Sequence, residues 1–312
     1  VWRELQNNDA LLAVQLIAIR GGMFHKRQVT GGDGAIQLAQ GPETGPPLLF
    51  LHGVGRSWQD FGGLMTSLAS RWQVFGIDFR GHGLSARTPG KYFLRDYVRD
   101  AVAVARHIGQ PLVIYGHSLG AMTAGLAAAE LGNDIHGAIL EDPPYRLYAP
   151  GATDTPFHPL FQVMQQVSGS SESVSALAKR LADVRLPAEG QPDGVRLGDV
   201  RDATAIRFGA ACLKRVDPEL WTPVLSGTWQ SGSDYRALLP KITCPVLVLQ
   251  GAVALGGMVS DAAGDELTQL ISDCTLLRWN DVGHLLHTML PERTLRVVSE
   301  FLESIAIDPD NN

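Results

Sequence analysis

An apolar run, Leu112-Val113-Ile114-Tyr115, ends at Gly116-His117-Ser118-Leu119-Gly120 and passes directly into Ala121-Met122-Thr123-Ala124-Gly125. No other stretch narrows the fold as much. The first run has the length and apolarity of a buried strand, and the last has the small-residue composition of a packed helix. A strand that turns straight into a helix needs a very tight corner. Glycines on both sides of the corner permit it, because side chains there would collide. The apex residue, Ser118, then adopts a strained backbone and presents its hydroxyl at the start of a helix. The positive end of that helix favours developing negative charge. In a chain with 34 glycines the pentapeptide alone is weak, and the flanking strand and helix give it weight.

Strand and helix patterns alternate along most of the chain. Residues 24–30, 35–40, 47–51, 72–77, 111–115, 135–141, 245–250 and 275–279 read as strands. Residues 57–70, 94–108, 119–131, 261–271 and 290–305 have helical spacing. Such alternation predicts an α/β fold, a mostly parallel eight-stranded sheet covered by helices on both faces. Residues 145–235 break the alternation with Pro, Ser, Gly and charged helical segments and no strong strand. The expected division is a core from 1–142 and 236–312, interrupted by a helical cap over 143–235. Sites in open α/β sheets lie beyond the carboxyl ends of the strands, where such an insertion would act as a lid.

Composition sets limits on partners. The 312 residues carry a formal charge of −6, which offers no basic footprint for nucleic acid. Residues 11–19 form the longest early apolar stretch, far short of the roughly 20 a membrane span requires. They also lack a basic leader, so an N-terminal helical extension is expected rather than a signal peptide. That helix would pack on the body or on a second copy in a homodimer. Cys212, Cys244 and Cys274 are an odd number without metal spacing. They point to thiols in a reducing, cytoplasmic setting, and neither a cofactor nor a metal is called for.

A serine nucleophile needs a base. His284 in Asn280-Asp281-Val282-Gly283-His284 follows the last strand and precedes the final helix. That loop places an imidazole on the same rim as Ser118, with an unperturbed pKa of about 6.5 suited to proton shuttling. His287 is the competitor, three residues on and entering the helix. His82 reads as a turn residue, while His117 and His52 read as supports for the elbow and for the loop His52-Gly53-Val54-Gly55. In that loop the Val54 N–H, with the Leu119 N–H after the serine, forms a candidate oxyanion hole.

Together these motifs resemble the α/β-hydrolase superfamily, in the order that family uses. Leu49-Phe50-Leu51-His52-Gly53-Val54-Gly55 looks like its oxyanion strand and loop. Ile77-Asp78-Phe79-Arg80-Gly81-His82-Gly83-Leu84-Ser85 is similar to its turn after the fourth strand. The resemblance covers residues 22–306, with the insertion as the variable cap. It implies an acid that orients the histidine, commonly just past the strand at 245–250. Here that region reads Gly251-Ala252-Val253-Ala254-Leu255-Gly256-Gly257, with no carboxylate before Asp261. The alternative family site, after the strand at 135–141, offers Glu141-Asp142-Pro143-Pro144. It brings Asp142 to the acid position, with Glu141 as runner-up.

The resemblance implies a serine hydrolase that cleaves a carboxylic ester or lactone of a hydrophobic small molecule through an acyl-enzyme on Ser118. Trp58, Met122, Tyr145, Tyr148, Phe157, Phe161, Trp221 and Trp229 are candidates to line an apolar pocket under the cap. A serine at the elbow argues against haloalkane dehalogenase or epoxide hydrolase chemistry, whose relatives place an aspartate there. Carbon–carbon bond hydrolysis, cofactor-free dioxygenation with a His–Asp pair, and a non-enzymatic ligand receptor are the alternatives on this fold.

Overall fold

The computed structural model describes residues 22–109, 111–147, 155–188 and 191–305. The expected N-terminal helix and Tyr148 lie outside them. Eight strands form one sheet: β1 (His25–Thr30), β2 (Ala35–Gln40), β3 (Pro47–Leu51), β4 (Gln73–Asp78), β5 (Leu112–His117), β6 (Ile135–Glu141), β9 (Val246–Gly251) and β10 (Cys274–Trp279). Their spatial order is β1-β2-β4-β3-β5-β6-β9-β10. Only the β1–β2 and β2–β4 pairs are antiparallel. The rest run parallel, and β3, β5 and β9 are buried along their whole length. Burial on both faces explains why these strands read as continuous apolar runs.

Helices cover both faces. On one side α2 (Leu94–Ile108), α3 (Leu119–Leu131) and α10 (Asp261–Leu270) pack on Leu49, Leu51, Ile114 and Leu140. On the other, α1 (Gly62–Leu68) and α12 (Pro291–Ser304) cover Leu48, Phe50, Val113 and Ile139. Neighbouring residues of one strand therefore serve opposite cores, as the two-residue period of a strand dictates. The final helix is split: a short α11 (Leu286–Met289) precedes α12, and Pro291 opens the new helix where its missing N–H costs nothing.

Between β6 and β9 lie α4 (His158–Val167), α5 (Val174–Ala182), α6 (Leu197–Val200), α7 (Ala203–Leu213), α8 (Trp221–Leu225) and α9 (Tyr235–Leu238). Asp202 starts α7 by accepting the Thr204 N–H at 2.7 Å, and Ser173 caps α5 through the Ala176 N–H. This stretch also holds a two-stranded antiparallel ribbon, β7 (Arg185–Ala188) with β8 (Gln191–Arg196). The sequence pattern shows no strong strand here. Pro187 and Pro192 obscure it, and they are tolerated because every strand of a two-stranded ribbon is an edge. Those described apolar side chains of the insertion that join a core join the α2–α3 core, and none joins the α1–α12 core. Among the described residues no helix is long and apolar enough to cross a membrane.

Candidate active site

Ser118 sits between β5 and α3 with φ 56° and ψ −116°. A side chain at Gly116 would drive into the backbone of Gly120, and one at Gly120 into the backbone of Leu51. The corner is thus closed by backbone-to-backbone contact, which fixes the serine apex. Its N–H donates to the Glu141 carbonyl at 2.9 Å, tying the elbow to the end of β6. The loop after β3 lies alongside, and a Cβ on Gly53 would stand 3.4 Å from the Ser118 Cβ.

Two neutral histidines hold that loop. His52 Nδ1 donates to the Gly53 carbonyl at 2.7 Å, so its Nε2 accepts the Phe79 N–H at 3.0 Å. His82 Nε2 accepts the Gly55 N–H at 2.9 Å. Burial pushes the His82 imidazole down to about 4 and holds His52 well below the usual histidine range, so both stay uncharged. The Arg56 N–H goes to the Gly53 carbonyl at 3.2 Å. Among the described residues, the fold leaves the Val54 N–H without an acceptor. The Leu119 N–H lies in the first turn of α3, where the helix itself supplies no acceptor.

His284 follows β10. Its Nδ1 lies 2.6 Å from Asp142 Oδ2. Asp142 is completely buried, and its carboxylate also accepts the Gly251 N–H at 3.1 Å and the Met258 N–H at 2.7 Å. The loop after β9, which carries no acid near Ala252, thus contributes two backbone donors to an acid carried by β6. Asp142 turns out of its strand with φ 47°. Ser118 and Asp142 are the two non-glycine residues with positive φ among the described residues. Such conformations cost on the order of 1–3 kcal/mol each and persist where surrounding contacts enforce them.

The His117 ring lies 4.6 Å from the His284 ring, centroid to centroid, and its Nε2 donates to the His284 carbonyl at 2.9 Å. The residue before the serine therefore fixes the backbone of His284. Among the described residues, Ser118 Oγ and His284 Nε2 share no hydrogen bond, and such contacts tighten when substrate binds.

The runner-up groups form a different pair. Glu141 is fully buried and lies 2.9 Å from His287 Nδ1, while the Tyr115 hydroxyl donates to it at 2.5 Å. Asp261 starts α10, and its side chain is 84% exposed. Trp58 is a correction. Its ring meets Phe24 at 5.4 Å in the α1–α12 core, a cluster with no residue of the insertion. A short 3-10 turn after the Gly53–Gly55 loop rotates it onto that face. Met122, Tyr145, Phe161, Trp221 and Trp229 lie in the other core, with Phe157 packed against them. Tyr145 donates to the Met122 carbonyl at 2.7 Å, and Trp221 Nε1 donates to Ser168 Oγ at 2.8 Å.

Sequence reasoning passed over Arg56 and Asp60, a buried ion pair beside His287. Their four-residue separation on a helical turn is a legible signal. It also took His82 for a turn residue, since nothing local announces a bond to a residue 27 positions away. Among the described residues no group of three or more His, Cys, Asp or Glu side chains could hold a metal ion.

Comparison with known proteins bears on the fold and the family. A relative from Mesorhizobium japonicum, 2-(acetamidomethylene)succinate hydrolase, is 25% identical over 268 residues, 84% of this chain and 89% of that protein. The magnesium-chelatase 30 kDa subunit of Rhodobacter capsulatus is 27% identical over 274 residues, again 84% and 89%. The crystal structure of an enol-lactonase from Burkholderia xenovorans LB400 matches 89% of this chain and 100% of its own with TM-score 0.68, at 18% identity. The model of the alpha/beta hydrolase family matches residues 48–298, and the chain belongs to that family.

Proposed function

We propose that the protein is a serine hydrolase that cleaves a carboxylic ester or lactone of a hydrophobic small molecule through an acyl-enzyme. The observation that carries this is the 2.6 Å contact between His284 Nδ1 and the buried Asp142 carboxylate, on the loop tied to the serine elbow. Asp142 accepts a hydrogen bond from the Nδ1–H of His284, which leaves Nε2 as the basic nitrogen. Nε2 takes the Ser118 proton as Oγ attacks the carbonyl carbon. The Val54 and Leu119 N–H groups receive the oxyanion. His284 then protonates the leaving oxygen, and water, activated the same way, releases the acid.

Each missing oxyanion donor costs roughly 3–4 kcal/mol in comparable enzymes. In this reading residues 143–235 form the cap. Met122, Tyr145, Phe157, Phe161, Trp221 and Trp229 supply apolar surface where it meets the core. One relative is itself named a hydrolase of a small molecule, which supports the reaction class.

A fluorophosphonate probe and a series of p-nitrophenyl esters and lactones test the proposal. Stoichiometric labelling of the wild type, lost in Ser118→Ala together with turnover, is the expected result. An unlabelled Ser118 in folded protein overturns it. Oxygen consumption with a quinolone-like substrate would then favour the dioxygenase alternative.

A further inference from the structure

The sequence pattern makes His117 a support of the elbow, yet its hydrogen bond runs to the loop that carries the base. Nε2 donates to the His284 carbonyl at 2.9 Å, between residues 167 positions apart. The buried His117 ring meets the His284 ring at 4.6 Å and 49°, and the His287 ring at 5.1 Å. The oxyanion loop lies against the same ring. A Cβ on Gly53 would stand 2.9 Å from His117 Nδ1 and 3.4 Å from the Ser118 Cβ. One imidazole therefore touches the base and the oxyanion loop, and a peptide bond joins it to the nucleophile.

The topology gives that bond its meaning. β5, which ends at His117, and β10, which precedes His284, are separated in the sheet by β6 and β9. Without the bond, nucleophile and base would be aligned only through two intervening strands and their loops. Asp142 fixes His284 Nδ1 from the end of β6, but one bond leaves the ring free to swing about that contact. The His287 N–H donates to Glu141 Oε1 at 3.0 Å, so residues 284–287 are held at both ends. Donation to a carbonyl puts the single proton of a neutral imidazole on Nε2. Burial, and then the charge of His284, pull His117 down to about 3, so it stays uncharged. A cation there would oppose the imidazolium that His284 becomes on taking the serine proton.

We propose that His117 is a positioning residue for the general base. Its Nε2–H bond to the His284 carbonyl holds the imidazole of His284 in register with the Ser118 hydroxyl. This rests on the hydrolase reading of Ser118. A tight corner before the serine needs a side chain that fits, and it needs no donor at that place. The donor serves the residue across the sheet. A displacement on the order of 1 Å at the reacting atoms costs about 10²-fold in rate, so a single backbone restraint is enough to matter.

Three measurements test this. The first compares His117→Gln, whose amide N–H reaches about as far as Nε2, with His117→Asn, which falls short, and His117→Leu, which has no donor. Kinetics on p-nitrophenyl esters are read per folded molecule, with urea curves alongside. His117→Leu should lower kcat by roughly 10- to 100-fold with KM within about twofold. His117→Gln should stay within about fivefold of wild type. If the leucine variant does not fold, Asn against Gln carries the same contrast. Equal kcat in the variants, or a loss confined to KM, overturns the proposal. The second measurement repeats His117→Leu in a His284→Ala background, with an activated ester at high enzyme concentration. Its cost there should fall below about threefold, because its target is gone. A cost that persists in full places His117 in the elbow alone and overturns the proposal. The third needs no turnover. Nitrogen-15 spectra of the histidine side chains should show His117 neutral, with its proton on Nε2, between about pH 5 and 8. A proton on Nδ1 overturns the bond. Failure of the hydrolase reading would appear separately, as a wild type without labelling or turnover whose spectra still show that proton on Nε2.

Discussion

Glu141 and Asp142 are neighbours at the end of β6, yet each holds a different histidine, and the two histidines are three residues apart. Strand alternation separates the carboxylates. Glu141 shares a sheet face with Tyr115 and Ile139 and points into the α1–α12 side. Asp142 leaves the strand at φ 47° and meets His284 at the rim. The surroundings then set two different outcomes for the same residue types. His287 has an acid at each ring nitrogen, Glu141 at Nδ1 and Asp60 at 3.7 Å from Nε2. Burial works against its charge, but the two carboxylates outweigh it and push the imidazole up to about 9. Burial likewise opposes the Glu141 charge, and His287 overcomes it and brings the carboxyl down to about 2. A histidine locked as a cation cannot take a proton from a serine. His284 has one acid, and its side chain remains 12% exposed against 2% for His287. A closed pair becomes structure, and a pair left open on one side is available for proton transfer.

Removing the open pair should have the largest effect. His284→Ala should lower kcat by roughly 10⁴- to 10⁶-fold, with the urea midpoint nearly unchanged. Asp142→Asn should follow at about 10⁴-fold, since the amide no longer enforces the right tautomer. Steady-state kinetics on the best ester, with denaturation curves alongside, checks both. A variant of either residue that keeps a tenth of wild-type turnover would break the contrast.

The closed pair should respond in the opposite currency. Glu141→Gln leaves a buried imidazolium short of its main partner and should cost about 3–5 kcal/mol of stability. The fraction that stays folded should lose less than about tenfold in kcat, because its Ser118, His284 and Asp142 are untouched. Urea unfolding read beside active-site titration separates the two quantities. A large loss of kcat per folded molecule at unchanged stability would place Glu141 in the chemistry instead.

The pH dependence sharpens the contrast further. His287 has a folded pKa raised above its unfolded value of about 6.5. Its contribution is complete below the unfolded value and is lost as pH rises through the folded value near 9. The stability gap between the wild type and His287→Gln should therefore narrow steadily over that alkaline interval. Glu141 acts on the acid side, where its contribution is present above the unfolded carboxylate value and lost as pH falls towards 2. Unfolding at a series of pH values checks both limbs. A gap that widens with alkalinity would mean that His287 is buried neutral.

Much of this was legible before any coordinates. The strand–Ser118–helix corner is local, so glycine spacing and apolar runs were enough to place it. The strands β3, β5 and β9 were legible because burial on both faces leaves long apolar runs. Asp142 was half legible. Its position after β6 could be read, but its cradle comes from Gly251 and Met258, more than a hundred residues away. The ribbon β7–β8 was hidden by its prolines, and Trp58 was misplaced because a single 3-10 turn decides which core a side chain enters.

Asp261→Asn should produce the smallest change, and it guards the whole comparison. Asp261 is the first carboxylate after β9, the strand that most often precedes the acid in the resembling family. In this fold it begins α10, accepts Gln250 Nε2 at 2.8 Å and stands 3.5 Å from Arg278 Nε. An exposed carboxylate in a first helical turn contributes about 0.3–1 kcal/mol through the helix dipole. The amide keeps the shape and the bond from Gln250, so stability should fall by no more than that. The place Asp261 would need beside His284 Nδ1 is already filled by Asp142, which the Gly251 and Met258 N–H groups hold fast. Turnover should therefore stay within about twofold of wild type. A drop of a hundredfold in Asp261→Asn, with Asp142→Asn still active, would move the acid to the β9 loop. His284 and His287 would then be distinguished by something other than the two carboxylates at the end of β6.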